Sequence, residues 1–273
     1  MQKDFQIIQI NLPRSSSFGR SKAEELSQLL IYFHNQQDLN LSNHLFGSEG
    51  IQIISRSLNK CLTLTTLDLS SNLMTDEGFS YLSTALFRLK CLRSLNLSNN
   101  LLSDSSCQKL SFNFCQFSSL IFLDLSNNKL TSEGAKNLIK TLPALISLKG
   151  LVLSNNLLGD QGSQIIVDAL KPIQNINYLC LRGNGLSVKG FEYVIGSMRR
   201  FKGLKLLHVE KEPCKEMRMS FMLESVGMKG LQGDVAGLKM CDKCKRHCEE
   251  DICEWSRVRA LVLTRVVNRF KLV

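Results

Sequence analysis

The chain is poor in the groups that most enzymes use for chemistry. Its 273 residues include only 4 His, at positions 34, 44, 208 and 247, with 1 Trp and 4 Pro. It has no Gly-x-x-x-x-Gly-Lys-Ser/Thr loop to cradle phosphates and no Gly-x-Ser-x-Gly turn to present a nucleophile. No run approaches 18 apolar residues, so no membrane-spanning helix is expected. The opening Met1-Gln2-Lys3-Asp4-Phe5 lacks the cationic and long apolar regions of a secretory signal. Few prolines and no long polar tract argue against an extended disordered segment. The 10 Cys, in a chain without an export signal, fit reduced thiols and a location in the cytosol or nucleus.

What remains is an apolar chain with uneven charge. It is 44% hydrophobic and 21% charged, enough to bury a sizeable core. Residues 197–273 carry 17 basic and 10 acidic side chains, so +7 of the formal +10 lies in the tail. The preceding residues are nearly neutral, which makes nucleic acid an unlikely partner for them.

A period of 28 residues organises the middle of the chain. Leu39, Leu67, Leu95, Leu123, Leu151, Leu179 and Leu207 are evenly spaced. Around each stands Leu-x-x-Leu-x-Leu-x-x-Asn-x-Leu, seen most fully as Leu95-Asn96-Leu97-Ser98-Asn99-Asn100-Leu101-Leu102. Such a period signals stacked repeats. Seven are delimited at 36–63, 64–91, 92–119, 120–147, 148–175, 176–203 and 204–231. Leucines two apart in the first half predict a strand. Apolar residues three and four apart in the second half predict a helix, as in Gly78, Leu82, Leu86, Leu89 and in Gly134, Leu138, Leu142, Leu145. One strand per repeat can pair only with strands of neighbouring repeats, giving a parallel sheet. The recurrent Asn72, Asn100, Asn128, Asn156 and Asn184 are expected to satisfy backbone groups between turns, because an amide both donates and accepts. This ladder breaks at His44 and Glu212.

Residues 1–35 are expected to form an atypical capping repeat. Ile8, Ile10 and Leu12 alternate like a strand. Ser21 and Glu24 make a capping-box pattern before Leu26, Leu29, Leu30 and Phe33. Residues 232–273 read as a linker followed by a basic amphipathic helix over about 241–270. In that tail, Cys241, Cys244, His247, Cys248 and Cys253 admit a zinc site, but one Cys-x-x-Cys lacks a second pair at the usual distance. A helix accounts for the same cysteines as apolar filler, and no cofactor is expected.

The repeat pattern, its length and its helical second half resemble ribonuclease-inhibitor-type leucine-rich repeats over about residues 36–231. The resemblance implies an α/β horseshoe solenoid with parallel strands on the concave face and helices on the convex face. Intracellular members include ribonuclease inhibitor, the Ran GTPase-activating protein and the sensing ends of NOD-like receptors. The class shares a habit of binding proteins, not one activity. A non-enzymatic protein-binding regulator is therefore the primary expectation. Activation of a Ran-like small GTPase is the alternative, although the basic tail departs from the acidic C-terminal run of the Ran activators. The concave acids Asp38, Asp68 and Asp124 are one or more repeats apart and are not expected to form a catalytic pair. Small polar residues dominate the early strands, whereas Phe122, Tyr178, Cys180, Arg182 and His208 fall in the later ones. Aromatic and Arg side chains carry much of the energy of protein interfaces, so a protein partner is expected on that side.

Overall fold

Strand and helix alternate as the two periodicities require. The computed structural model describes residues 8–9, 19–32, 37–114, 116–140, 142–173, 175–197, 201, 204 and 206–209. In order, these form β1 (Ile8–Gln9), α1 (Gly19–Tyr32), β2 (Asp38–Asn40), α2 (Gly47–Leu58), β3 (Thr66–Asp68), α3 (Asp76–Leu86), β4 (Ser94–Asn96) and α4 (Asp104–Phe114). Then follow β5 (Phe122–Asp124), α5 (Ser132–Ile139), β6 (Gly150–Val152), α6 (Gly159–Leu170), β7 (Tyr178–Cys180), α7 (Val188–Ser197) and β8 (Leu206–His208). The expected final helix and the tail, including Cys241, Cys244, His247, Cys248 and Cys253, lie outside the described residues.

The strands form one parallel sheet in chain order, β1 to β8. From β2 onward the register is one repeat without slippage: Leu39 pairs with Leu67, Leu67 with Leu95, and so on to Leu179 with Leu207. In the first repeat Ile8 faces Leu39, 31 positions on, consistent with a terminal unit that departs from the template. The fold is an α/β leucine-rich-repeat solenoid, with strands on the concave face and helices on the convex face. Its core runs between those two layers. Leu67, Leu95, Leu123, Leu151 and Leu179 meet Leu82, Leu110, Leu138, Ile166 and Val194 there, all almost completely buried.

The turn after each strand is held by the recurrent asparagine. The Nδ2 of Asn100 donates to the carbonyls of Leu69, Leu97 and Ser98 at 3.0, 3.0 and 3.2 Å. Asn72, Asn128, Asn156 and Asn184 repeat this triad of contacts, and none is more than 8% exposed. Where the ladder was expected to break, His44 partly substitutes. Its backbone N–H donates to Asn72 Oδ1 at 3.1 Å, and its Nδ1 lies 2.6 Å from the Ser42 carbonyl oxygen. The residue before each ladder Asn turns the chain with positive φ: Ser71, Asn99, Asn127 and Asn155 lie between 53° and 58°, and Gly183 at 71°. Asn tolerates this region better than most residues, and Gly adopts it freely.

A second ladder runs along the helix N-termini. Asp76 accepts from the backbone N–H groups of Ser103 and Ser106, at 2.8 and 3.2 Å, and from both hydroxyls. Asp104 takes the N–H and hydroxyl of Thr131 at 2.8 and 2.6 Å, and Asp160 takes those of Ser187. Each carboxylate thus ties the start of its own helix to the start of the next. Negative charge is also favourable at a helix N-terminus.

Three sequence expectations are corrected. Helix α1 begins at Gly19, so Ser21 lies inside its first turn and no capping box forms; Glu24 pairs instead with Arg20 at 3.3 Å. Leu29 is 45% exposed, because the buried face of α1 is Ala23, Leu26 and Leu30, and a neighbour of Leu30 in sequence points about 100° away. The helices also end earlier than the apolar spacing suggested. Helix α5 stops at Ile139, and Leu142 is buried from a short 3-10 turn that contains Pro143.

Candidate functional site

Because the register is one repeat, residues beside the leucines stand in rows across the sheet. One row reads Asp38, Thr66, Ser94, Phe122, Gly150, Tyr178 and Leu206. The next reads Asn40, Asp68, Asn96, Asp124, Val152, Cys180 and His208. Neighbouring strands are about 4.8 Å apart, so Asp68 and Asp124, two strands apart, are about 10 Å from each other.

The early part of these rows is occupied with holding its own turns. Asn40, Asp68, Asn96 and Asp124 each accept the backbone N–H of the serine two residues on, at 2.8 to 3.1 Å. Asn96 also donates to Asp68 Oδ2 at 2.9 Å, and Asp124 accepts the Ser126 hydroxyl at 2.6 Å. Residue type alone marks these positions only as polar. The Asx-x-Ser spacing, repeated in four turns, was the signal that could have found them. Ser94, Asn96, Ser98, Asp124, Ser126 and Ser154 are all buried. They are short and sit close against the sheet.

The later part differs in size and chemistry. Phe122, on β5, is half-buried and lays its ring over Gly150 of β6. A Cβ at Gly150 would come within 2.6 Å of Phe122 Cδ2 and 3.0 Å of Cε2. Tyr178, on β7, is half-buried, and its ring meets that of His208 on β8 edge-on, with centroids 5.6 Å apart and planes at 82°. Arg182 follows β7 and is exposed. Burial lowers the His208 pKa from its ordinary value, and the Arg182 charge lowers it further. The imidazole is thus held towards its neutral form, able to donate through one nitrogen and accept through the other.

Cys180 departs from the expectation of a surface contact. It is only 5% exposed, and burial pushes its thiol pKa up despite hydrogen bonds from neighbours, so it carries no activated thiolate. Tyr178, Arg182 and His208 are brought together. Phe122 belongs to the same surface two strands away, and Cys180 lies beneath it.

Cys61, Cys91, Cys107 and Cys180 are free thiols. Among the described residues no group of three His, Cys, Asp or Glu is arranged to hold a metal ion. No described helix is long and apolar enough to cross a membrane.

A model of the Leucine Rich repeat family matches residues 60–83, 88–111 and 118–138. No curated protein is a match to the sequence. Among solved structures, the chain is similar to the tropomodulin C-terminal domain of Caenorhabditis elegans. The identity there is 18%, the match covers 65% of this chain and 92% of that one, and the TM-score is 0.43. It is also similar to leiomodin-1 actin-binding site 2, at 14% identity over 68% of this chain and 90% of that one, with a TM-score of 0.39. The matched segments contain β3, β4 and β5 with Asn72, Asn100 and Asn128, three of the eight strands of the sheet, and it is these segments that are similar to leucine-rich repeats.

Proposed function

We propose that the protein is a non-enzymatic scaffold that binds a protein partner through the strand face of its later repeats. The observation that carries this reading is the pairing of Tyr178 with His208 beside the exposed Arg182. Elsewhere the same rows hold small residues whose polar groups are committed to their own turns. Aromatic and Arg side chains bring large contact area at low entropic cost. The neutral His208 and the guanidinium supply directional hydrogen bonding to a carbonyl or carboxylate. Phe122 extends the surface on the side of β5.

Within this reading the repeats are of the ribonuclease-inhibitor type, on the strength of their 28-residue length and α-helical second half. Residues 1–35 cap the N-terminal end. The free thiols fit a reducing compartment, cytosolic or nuclear. Residues 232–273 are assigned to a linker and a basic helix on sequence alone.

The test is affinity capture from cell lysate with the wild-type chain and with Tyr178→Ala/Arg182→Ala. The wild type should retain at least one protein that the double variant loses, with the two chains giving the same circular dichroism. If every captured protein survives the change, the strand-face site is wrong.

A further inference from the structure

The two edges of the repeat stack differ in charge. Because all strands are parallel, every helix-to-strand loop lies on one edge and every strand-to-helix loop on the other. On the helix-to-strand edge the loops are tied in sequence: the N–H of Arg93 donates to the Thr65 carbonyl at 2.7 Å, Ile121 to Arg93 at 2.7 Å and Lys149 to Ile121 at 2.8 Å. Segments 59–65, 87–93, 116–121 and 140–149 contain no Asp or Glu. They do contain Lys60, Arg88, Lys90, Arg93, Lys140 and Lys149, all exposed except the half-buried Lys149. The opposite edge holds the carboxylates of Glu49, Asp76, Glu77, Asp104, Glu133 and Asp160, with Lys129 and Arg182 as exposed cations in its loops, so it is acidic on balance.

Large apolar side chains interrupt the basic edge. Leu62 is 47% exposed, Phe87 49% and Ile146 64%; the opposite edge also exposes Leu45, Leu73, Leu101 and Leu157, but there they stand among carboxylates, and only the helix-to-strand edge sets such groups among cations with no acid in its loops. Leu62, Lys90, Ser118 and Ile146 occupy the same position of successive repeats, so this loop site holds a bulky apolar group in two of them and a cation in one.

Helix electrostatics explain part of this. Cations near helix C-termini complement the macrodipole, which accounts for Lys60, Arg88 and Lys140. Arg93 and Lys149, however, stand at strand entries, and the dipole gives no reason for exposing Leu62, Phe87 and Ile146. A phosphate-bearing nucleic acid would use the cations and leave the apolar groups in water. An anionic bilayer uses both: cations pair with headgroups while apolar side chains enter the acyl boundary. From this charge complementarity we infer that the helix-to-strand edge of the repeats is a peripheral docking surface for an anionic lipid bilayer. This surface is separate from the strand-face site and does not depend on it.

The test is co-sedimentation of the full chain with vesicles of phosphatidylcholine alone or with about 30% phosphatidylserine added, which supplies the anionic surface. Two variants, Arg88→Glu/Lys90→Glu/Arg93→Glu and Phe87→Ser/Ile146→Ser, alter only exposed side chains, and their fold is verified by thermal melts. Wild type should sediment with phosphatidylserine vesicles and stay in solution with phosphatidylcholine. Charge reversal should lower the partition by at least about tenfold. The apolar variant should lower it several-fold. Equal binding of wild type to both vesicles would overturn the inference. So would undiminished binding of the charge-reversed chain, which would move the contact to another segment such as the basic tail. An apolar variant that binds like wild type would remove the bilayer assignment. Retention on a nucleic-acid duplex without sedimentation on phosphatidylserine would assign the edge to the other polyanion.

Discussion

The Oδ1 of Asn100 accepts hydrogen bonds from the backbone N–H groups of Asn72, at 3.1 Å, and Met74, at 3.0 Å, both in the preceding repeat. With the three carbonyls bound by its Nδ2, one side chain satisfies five backbone groups in two turns. Asn100→Ala would leave the N–H groups of Asn72 and Met74 without an acceptor, while the carbonyls of Leu69, Leu97 and Ser98 keep Asn72 Nδ2, Asn128 Nδ2 and the Ser71 N–H. The expected cost is about 2–4 kcal/mol, because each orphaned buried group costs about 1–3 kcal/mol and the turn relaxes to recover part of it. Urea denaturation measures it. Asn100→Asp keeps the acceptor but loses both donors, so it should also destabilise. A cost below about 1 kcal/mol for the alanine variant would mean that the turns do not depend on the ladder.

Asp76 predicts a pH dependence. Burial by itself would raise its pKa, but the hydrogen bonds from Ser103 and Ser106 outweigh this and hold the carboxyl below its ordinary 3.8. A carboxyl with a depressed folded pKa stabilises fully above the unfolded value, and that stability is lost as pH falls through the folded value. The stability difference between wild type and Asp76→Asn should therefore be constant near neutrality and shrink once pH drops below about 3.8. Denaturant titrations at pH 7, 4 and 3 measure this. A difference that is the same at all three would show that Asp76 acts through shape, not charge.

The repeat, the strand register and the core leucines were legible because each depends on spacing. Leu67, Leu95 and Leu123 carry a period no other fold needs. Helix ends were less legible. Leu142 and Ile173 continue the apolar spacing, but Pro143 and Pro172 stop the helices, and burial from a loop looks the same in a sequence as burial from a helix. The Asp76–Ser103 ladder lay in the period too, as Asp76, Asp104 and Asp160, but its acceptor role depends on which loops the stack brings together. At the candidate site, residue type picked out Tyr178, Arg182 and His208. It could not show that Cys180 is closed off, since burial depends on the flanking strands.

His208 offers a direct probe of the strand face. Its pKa is lowered first by burial and then by Arg182. Titrating the imidazole by NMR should give a midpoint below 6.5, the ordinary value. Arg182→Ala should raise that midpoint part of the way, because the larger cause remains. The fold favours the neutral ring, so this residue's share of stability is present above about 6.5 and lost as pH falls through the folded midpoint. A midpoint at or above the ordinary value in wild type would place His208 outside the packed pair with Tyr178.

Gly150→Ala separates the shape of the site from the stability of the fold. The added Cβ would meet the Phe122 ring at 2.6 Å, and the atoms it meets are the far end of a half-buried side chain, not backbone. The ring can therefore swing off β6 without moving the sheet. The register and the leucine core beneath should be kept, and stability should change by no more than about 1 kcal/mol. Contacts between the Phe122 ring and residue 150, followed by NMR, should weaken. Partner capture should fall if Phe122 belongs to the binding surface, whereas Phe122→Ala should lower it with the sheet equally intact. A Gly150→Ala chain that unfolds would show that the glycine serves the backbone and not the ring. One that leaves both the ring and partner capture unchanged would remove Phe122 from the site.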